Sequence, residues 1–242
     1  MSRRAALIVL DGLGAGEARD AEAWGDRGSN TLGNVVRATP GLELPRLASL
    51  GLGGCGALGL PEVAAPEAAF GSAQPASAGK DSTTGHWELC GLVLPDPFPT
   101  YPAGFPAEVL EEFARRTGRA VLGNRAASGT AILDELGTEH VDYGSWIIYT
   151  SADAVFQVAA HEGVVPLAEL YAACRIARGM LTGEHGVSRV IARPFIGSPG
   201  AWVRTANRKD LSLLPPGTTL LDRLARVHLP VIGVGKVADL FA

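Results

Sequence analysis

The sequence predicts an α/β fold in which a core is interrupted by an inserted α+β domain, and three observations carry that reading. Residues 5–10, AALIVL, form an apolar run of strand length stopped by Asp11 and Gly12, the pattern of a buried parallel strand that ends on a carboxylate. Prolines cluster at Pro95, Pro97, Pro99, Pro102 and Pro106 and return at Pro215 and Pro216, marking a crossing out of the core and back. Between these marks lie helical and strand patterns enough for a domain of their own.

Taken in order, the run 5–10 is followed by short helical pieces at 31–38 and 45–50, then by an Ala/Pro-rich stretch, 61–78, that has no period and reads as loop. Residues 106–117 form a helix opened by Pro106 and stopped by Gly118. A second helix, 166–181, places Leu167, Leu170, Tyr171, Cys174, Ala177 and Leu181 on one face, the spacing of an amphipathic helix. Strands are expected at 146–150 and 189–195. After the return, Thr218 is placed to cap a helix reaching 227, and 231–234 reads as a short buried strand that delivers Lys236 to its end. The implied domains are 1–100, the inserted 101–214, and 215–242 back in the core.

Composition excludes more than it assigns. The 21 Lys+Arg against 25 Asp+Glu give a net charge of −4, which leaves no electrostatic footprint for nucleic acid or an anionic membrane. No apolar stretch approaches the roughly 20 residues of a membrane-spanning helix, and Asp11 interrupts the N-terminal run too early for a signal peptide. Cys55, Cys90 and Cys174 are widely spaced and odd in number, so neither a zinc site nor a disulfide framework is indicated; a reducing, cytoplasmic setting is expected. With 47% hydrophobic residues the 242-residue chain can bury a substantial core.

The densest chemistry lies at 79–88, GKDSTTGHWE, where adjacent hydroxyls are flanked by Lys80, Asp81, His86 and Glu88. A threonine hydroxyl attacks phosphorus only with help from a base, a metal or a lowered pKa, and here the neighbours can supply it, with Thr84 as the nucleophile. The plain alternative is a polar loop whose Ser82, Thr83 and Thr84 cap a helix starting near His86. Asp11 has two readings as well. Beyond the carboxyl end of a strand it is aimed at a ligand and suits a hard divalent cation, whereas Asp-Gly is also a common turn. Arg189 and Arg204 read by themselves as solvated surface residues. GVGK around Lys236 is not a P-loop, because that motif's first Gly and its following Ser/Thr are absent, and His161-Glu162 lacks a second histidine four residues on.

Together, LIVLDGLG and GKDSTTGHWE resemble the phosphopentomutases of the alkaline-phosphatase superfamily. The resemblance continues through WGDRGSNTLGN (24–34), LGNRAASGTAILDELG (122–137), YTSADAVFQVAAHE (149–162), RVIARPFIG (189–197), RTANRKD (204–210) and VIGVGKVAD (231–239). Asn30 and Asn34 depart from the Asp and His that the family usually carries. The family also continues past the point corresponding to Ala242, with motifs that supply most of its metal ligands.

The resemblance implies an α/β fold with an alkaline-phosphatase-like core, incomplete here, and an inserted α+β cap. It implies interconversion of (deoxy)ribose 1-phosphate and (deoxy)ribose 5-phosphate through a phosphothreonine and a bisphosphate intermediate. By the same resemblance Thr84 is catalytic, Asp11 and Thr84 are metal ligands, and Ser151, Asp153, Arg189, Arg204 and Lys236 contact substrate. Two divalent ions of the Mn2+ type and a sugar bisphosphate activator are implied as cofactors, and pentose phosphates as the partners. A separate segment completing the core is a further implied partner, and this chain alone is expected to be inactive as a mutase. Two alternatives stay open: a related metal-dependent phosphohydrolase or phosphoglycerate mutase, and a non-catalytic fragment that binds phosphosugars.

Overall fold

A computed structural model describes residues 4–10, 12–56 and 58–241, which form two compact units, Met1–Pro75 and Ala76–Ala242. In the first unit a 3-10 turn at Ala21–Trp24 precedes helix α1, Thr31–Ala38, and helix α2, Pro45–Ser49, followed by a 3-10 turn at Leu52–Cys55. Asn30 caps α1, its side chain accepting from the Gly33 amide at 3.0 Å. One of the two departures in that segment therefore does local structural work.

Residues 5–10 correct the expectation of a buried strand. They form no strand, and Leu7 and Ile8 are 67% and 81% exposed. Strand structure requires a ladder partner, and none of the described residues supplies one to this run.

The second unit is built on a mixed six-stranded sheet. Its strands are β1 (Val121–Ala126), β2 (Trp146–Thr150), β3 (Val155–His161), β4 (Arg189–Ile196), β5 (Val203–Arg204) and β6 (Lys209–Ser212). The order is β1-β2-β3-β4-β5, with β6 also pairing β4. The pairs β1/β2 and β3/β4 are parallel and the others antiparallel. The helices are α3 (Ser82–Leu89), α4 (Ala107–Thr117), α5 (Gly129–Tyr143), α6 (Leu167–Met180), α7 (Leu220–Arg226) and α8 (Val237–Leu240). Each parallel pair is joined through a helix, α5 for the first and α6 for the second, as parallel connections require.

The two-residue alternation of strands sorts side chains onto two faces. Trp146, Ile148, Phe156, Val158, Val190 and Ala192 point to one face, where Phe113 of α4 and Leu170, Cys174 and Ala177 of α6 complete the larger core. On the other face Ile147, Tyr149, Ala159 and Phe195 meet Ile132 and Leu133 of α5. Burial of each large side chain there contributes roughly 1.5–3 kcal/mol.

The helix at 166–181, the strand at 146–150 and the Gly118 stop match the sequence pattern, Gly118 closing α4 in the left-handed conformation. Thr219 rather than Thr218 caps α7, in a capping box with Asp222. Residues 231–234 are a second correction: they form no strand, and Ile232 and Val234 are 85% and 80% exposed. Lys236 is delivered instead as the residue that opens α8. Among the described residues no helix is long and apolar enough to cross a membrane.

Candidate functional site

The site grows from the first turn of α3. Gly79 enters with φ +94, a conformation that favours glycine, and Asp81 is extended at φ −81, ψ 159. That geometry turns the Asp81 carboxylate back over the helix start, where it accepts from the Thr83 amide at 2.9 Å and the Thr84 amide at 3.1 Å. The cap is thus Asp81, with Ser82, Thr83 and Thr84 inside the helix. The Thr84 hydroxyl donates to the same carboxylate at 2.7 Å, and Thr84 is 2% exposed. Thr83 is fully buried, and its hydroxyl has no hydrogen-bond partner among the described residues.

The rest of the segment holds this turn in place. His86 Nδ1 lies 2.7 Å from the Ser82 carbonyl. Glu88 accepts from the Ala76 and Ser77 amides at 2.8 and 2.7 Å, tying the incoming chain to α3. Burial pushes the Glu88 carboxyl up, but hydrogen bonds from the Ser77 side chain and from the two amides outweigh it and hold the pKa below the usual value. The buried Trp87 donates its indole N–H to the Leu240 carbonyl at 2.9 Å, which anchors α8 against α3. Through that anchor Lys236 reaches the Ser82 hydroxyl at 2.9 Å. A lysine, a helix N-terminus and a hydroxyl paired with a carboxylate therefore converge, an arrangement suited to receiving an anionic phosphoryl group.

A second group of polar residues lies at one end of the sheet. Ser151 and Asp153 sit in the β2–β3 connection, and Arg189 opens β4 opposite Val155. Arg189 is 3% exposed, donates to Asp210 at 2.9 Å and approaches Asp153 at 3.9 Å, and its Nε has no partner among the described residues. It is a buried, ion-paired residue and departs from the solvated arginine that its type suggests. Asp210 is shared, because Arg208 also grips it at 2.6 and 2.7 Å. Burial raises the Asp210 pKa, and the two arginines more than reverse that, leaving it below the ordinary value. Arg204 stands on β5, paired with Phe195 six residues along β4 from Arg189. That separation is about 20 Å at the usual strand rise. Ser151, Asp153 and Arg189 are thus brought to one sheet end, while the backbone of Arg204 is not.

Several residues of this face escaped the sequence reading: Tyr149, Gln157, Arg193 and Arg208. The available signal was the alternation Arg189, Ile191, Arg193, Phe195, which puts both arginines on the side that α5 partly covers. Glu162 is held by local hydrogen bonds, accepting from Thr205 at 2.5 Å and Asn207 at 3.0 Å. Asp11 lies outside the described residues. Among those described, no group of three or more His, Cys, Asp or Glu is placed to hold a metal ion. The described residues alone therefore do not make a metal centre.

Fold and site define an α/β protein whose helix-borne threonine is set against a carboxylate and beside a lysine. The chain is similar along its whole length to proteins named phosphopentomutase. It is 58% identical over 245 residues to the phosphopentomutase of Caldanaerobacter subterraneus subsp. tengcongensis, covering 100% of this chain and 62% of that protein. To that of Carboxydothermus hydrogenoformans it is 56% identical over 241 residues, 99% of this chain and 62% of the relative. To that of Alkaliphilus metalliredigens it is 53% identical over 242 residues, with coverage of 100% and 62%. The chain thus spans about 62% of the length of the relatives it matches. No family model matches it.

Proposed function

We propose that this chain carries the nucleophile and sugar-phosphate contacts of a phosphopentomutase, a protein interconverting (deoxy)ribose 1-phosphate and (deoxy)ribose 5-phosphate. The observation that carries the reading is the 2.7 Å hydrogen bond from the Thr84 hydroxyl to Asp81 beside the Lys236–Ser82 contact. Similarity to the named relatives supports the substrate class. On this reading residues 1–100 and 215–242 belong to an alkaline-phosphatase-like core and 101–214 to an inserted cap, with Ser151, Asp153, Arg189 and Arg204 facing the sugar phosphate.

The Thr84 oxygen attacks phosphorus of a sugar bisphosphate. The Oγ–P bond forms, the P–O bond to the sugar breaks, and Asp81 takes the hydroxyl proton and passes it to the departing sugar oxygen. The phosphothreonine then passes its phosphoryl group to a hydroxyl of the bound sugar monophosphate, making a bisphosphate, and the proton of that hydroxyl returns through Asp81 to Thr84 Oγ. The bisphosphate rephosphorylates Thr84 with its other phosphate and leaves as the isomerised product. Lys236 and the α3 N-terminus neutralise the charge in flight. The two divalent ions that the resemblance implies, with Asp11 and Thr84 among their ligands, have no complete donor set among the described residues, so no step is assigned to them.

In a protein extended to the relatives' full length, incubation with a sugar bisphosphate should add one phosphoryl group by intact mass. Thr84→Ala should lose both that mass and mutase turnover, and Thr83→Ala should keep them. Phosphate mapped to Ser82 or Thr83 would overturn the assignment.

A further inference from the structure

Arg189 is held firmly from one side and loosely from the other. In the β4/β6 ladder it stands opposite Ser212, and Asp210 stands opposite Ile191, so arginine and carboxylate are diagonal neighbours on one face. A long side chain bridges that spacing, and Arg189 Nη1 donates to Asp210 Oδ2 at 2.9 Å with both side chains buried. Asp210 is held in turn. Arg208 closes on it as a two-point fork, Nε to Oδ1 at 2.6 Å and Nη2 to Oδ2 at 2.7 Å. A bidentate arginine–carboxylate pair fixes orientation as well as charge.

The loose side faces Asp153. Arg189 Nη2 and the Asp153 carboxylate are 3.9 Å apart, within ion-pair range but too long for a hydrogen bond. That edge of the guanidinium therefore keeps its hydrogen-bonding capacity for an incoming oxygen. Burial pushes the Asp210 carboxyl up, yet the two arginines hold it below its ordinary pKa, so it is ionised. A negative charge there works against an anion by Coulomb's law. Any help that Asp210 gives to binding a phosphosugar can come only through the geometry of Arg189.

We propose that Asp210, clamped by Arg208, is a positioning residue that presents Arg189 to the sugar phosphate in a preset orientation. An arginine fixed in advance loses less rotamer freedom when the ligand arrives. The role rests on the contact between Arg189 and the sugar phosphate proposed above.

The test is a calorimetric titration of the 242-residue chain with ribose 5-phosphate, for the wild type, Asp210→Asn, Arg189→Met and the double variant. Asp210→Asn should raise the Kd about tenfold, the scale of one hydrogen bond to a charged group, although loss of the negative charge by itself would lower it. The double variant should bind as Arg189→Met does, because a residue that acts through Arg189 then has nothing left to position. Arg208→Lys keeps the charge and loses the fork, and should raise the Kd by less. Its own cycle with Arg189→Met decides the question where circular dichroism shows Asp210→Asn unfolded. A Kd for the folded Asp210→Asn at or below the wild-type value, or additive losses in the cycle, would overturn the positioning role alone. Failure of the underlying reading looks different: no binding by the wild type, or native affinity in Arg189→Met, removes Arg189 as a contact and the role of Asp210 with it.

Discussion

Thr83 and Thr84 are neighbours in one helical turn with opposite hydrogen-bond states. Thr84 donates to Asp81, whereas the Thr83 hydroxyl is buried with no partner among the described residues. Replacing a satisfied hydroxyl should cost about 1 kcal/mol, while replacing an orphaned one should cost nothing or stabilise. Urea unfolding should therefore rank Thr84→Val below wild type and Thr83→Val level with or above it; equal losses would contradict the assigned hydrogen bonds. Cys174 is fully buried, and burial pushes its thiol up to about 12, so it should resist alkylation in the native protein while the partly exposed Cys55 reacts. The site was legible at this scale where residue type alone carries the chemistry, as in the hydroxyls and carboxylate of 79–88. The meeting of Tyr149 with Gly129 and Arg204 was not legible, because the three come from elements far apart in sequence.

Among elements, α5 and β3 are joined by a histidine. His140 is fully buried, its Nδ1 lies 2.5 Å from the Ser145 carbonyl, and its Nε2 accepts from the His161 amide at 2.8 Å. Accepting at Nε2 requires the neutral ring, and burial holds the pKa below the ordinary 6.5. A depressed histidine pKa contributes stability that is full above the unfolded value and lost as pH falls toward the folded one. Thermal stability should accordingly drop below about pH 6.5, and His140→Gln should flatten that slope; an unchanged slope would assign it to other groups. Elements with a strong period or clear stops were readable: α4, α6, β2 and β4. The strand β1 was not, because Gly123 and Asn124 take positive φ and break its register, and α5 was not, because Gly137 interrupts its apolar face where Trp202 packs. The runs 5–10 and 231–234 misled for a different reason: apolar composition specifies burial, but a strand also needs a partner.

At the scale of the whole molecule, regular structure is unevenly spread. Residues 61–76 are almost wholly exposed and carry no helix or strand, and 228–235 are similarly open. Both should be the first sites of limited proteolysis, leaving a resistant fragment that contains 101–214 with its sheet and both hydrophobic clusters. Early cleavage within β2, β3 or β4 would refute this.

The bond between Trp87 and Leu240 joins residues 153 positions apart. Closing a flexible loop of that length costs about 4–5 kcal/mol before any constant term, several times the net worth of one hydrogen bond. The contact becomes favourable once the intervening strands and helices have drawn their ends together. Assembly therefore has an order in time: the sheet forms first, and Lys236 meets Ser82 among the last events of folding. During refolding, hydrogen exchange should protect the β2–β4 amides well before the Trp87 indole, so that the surroundings of Thr84 mature only after the scaffold is complete.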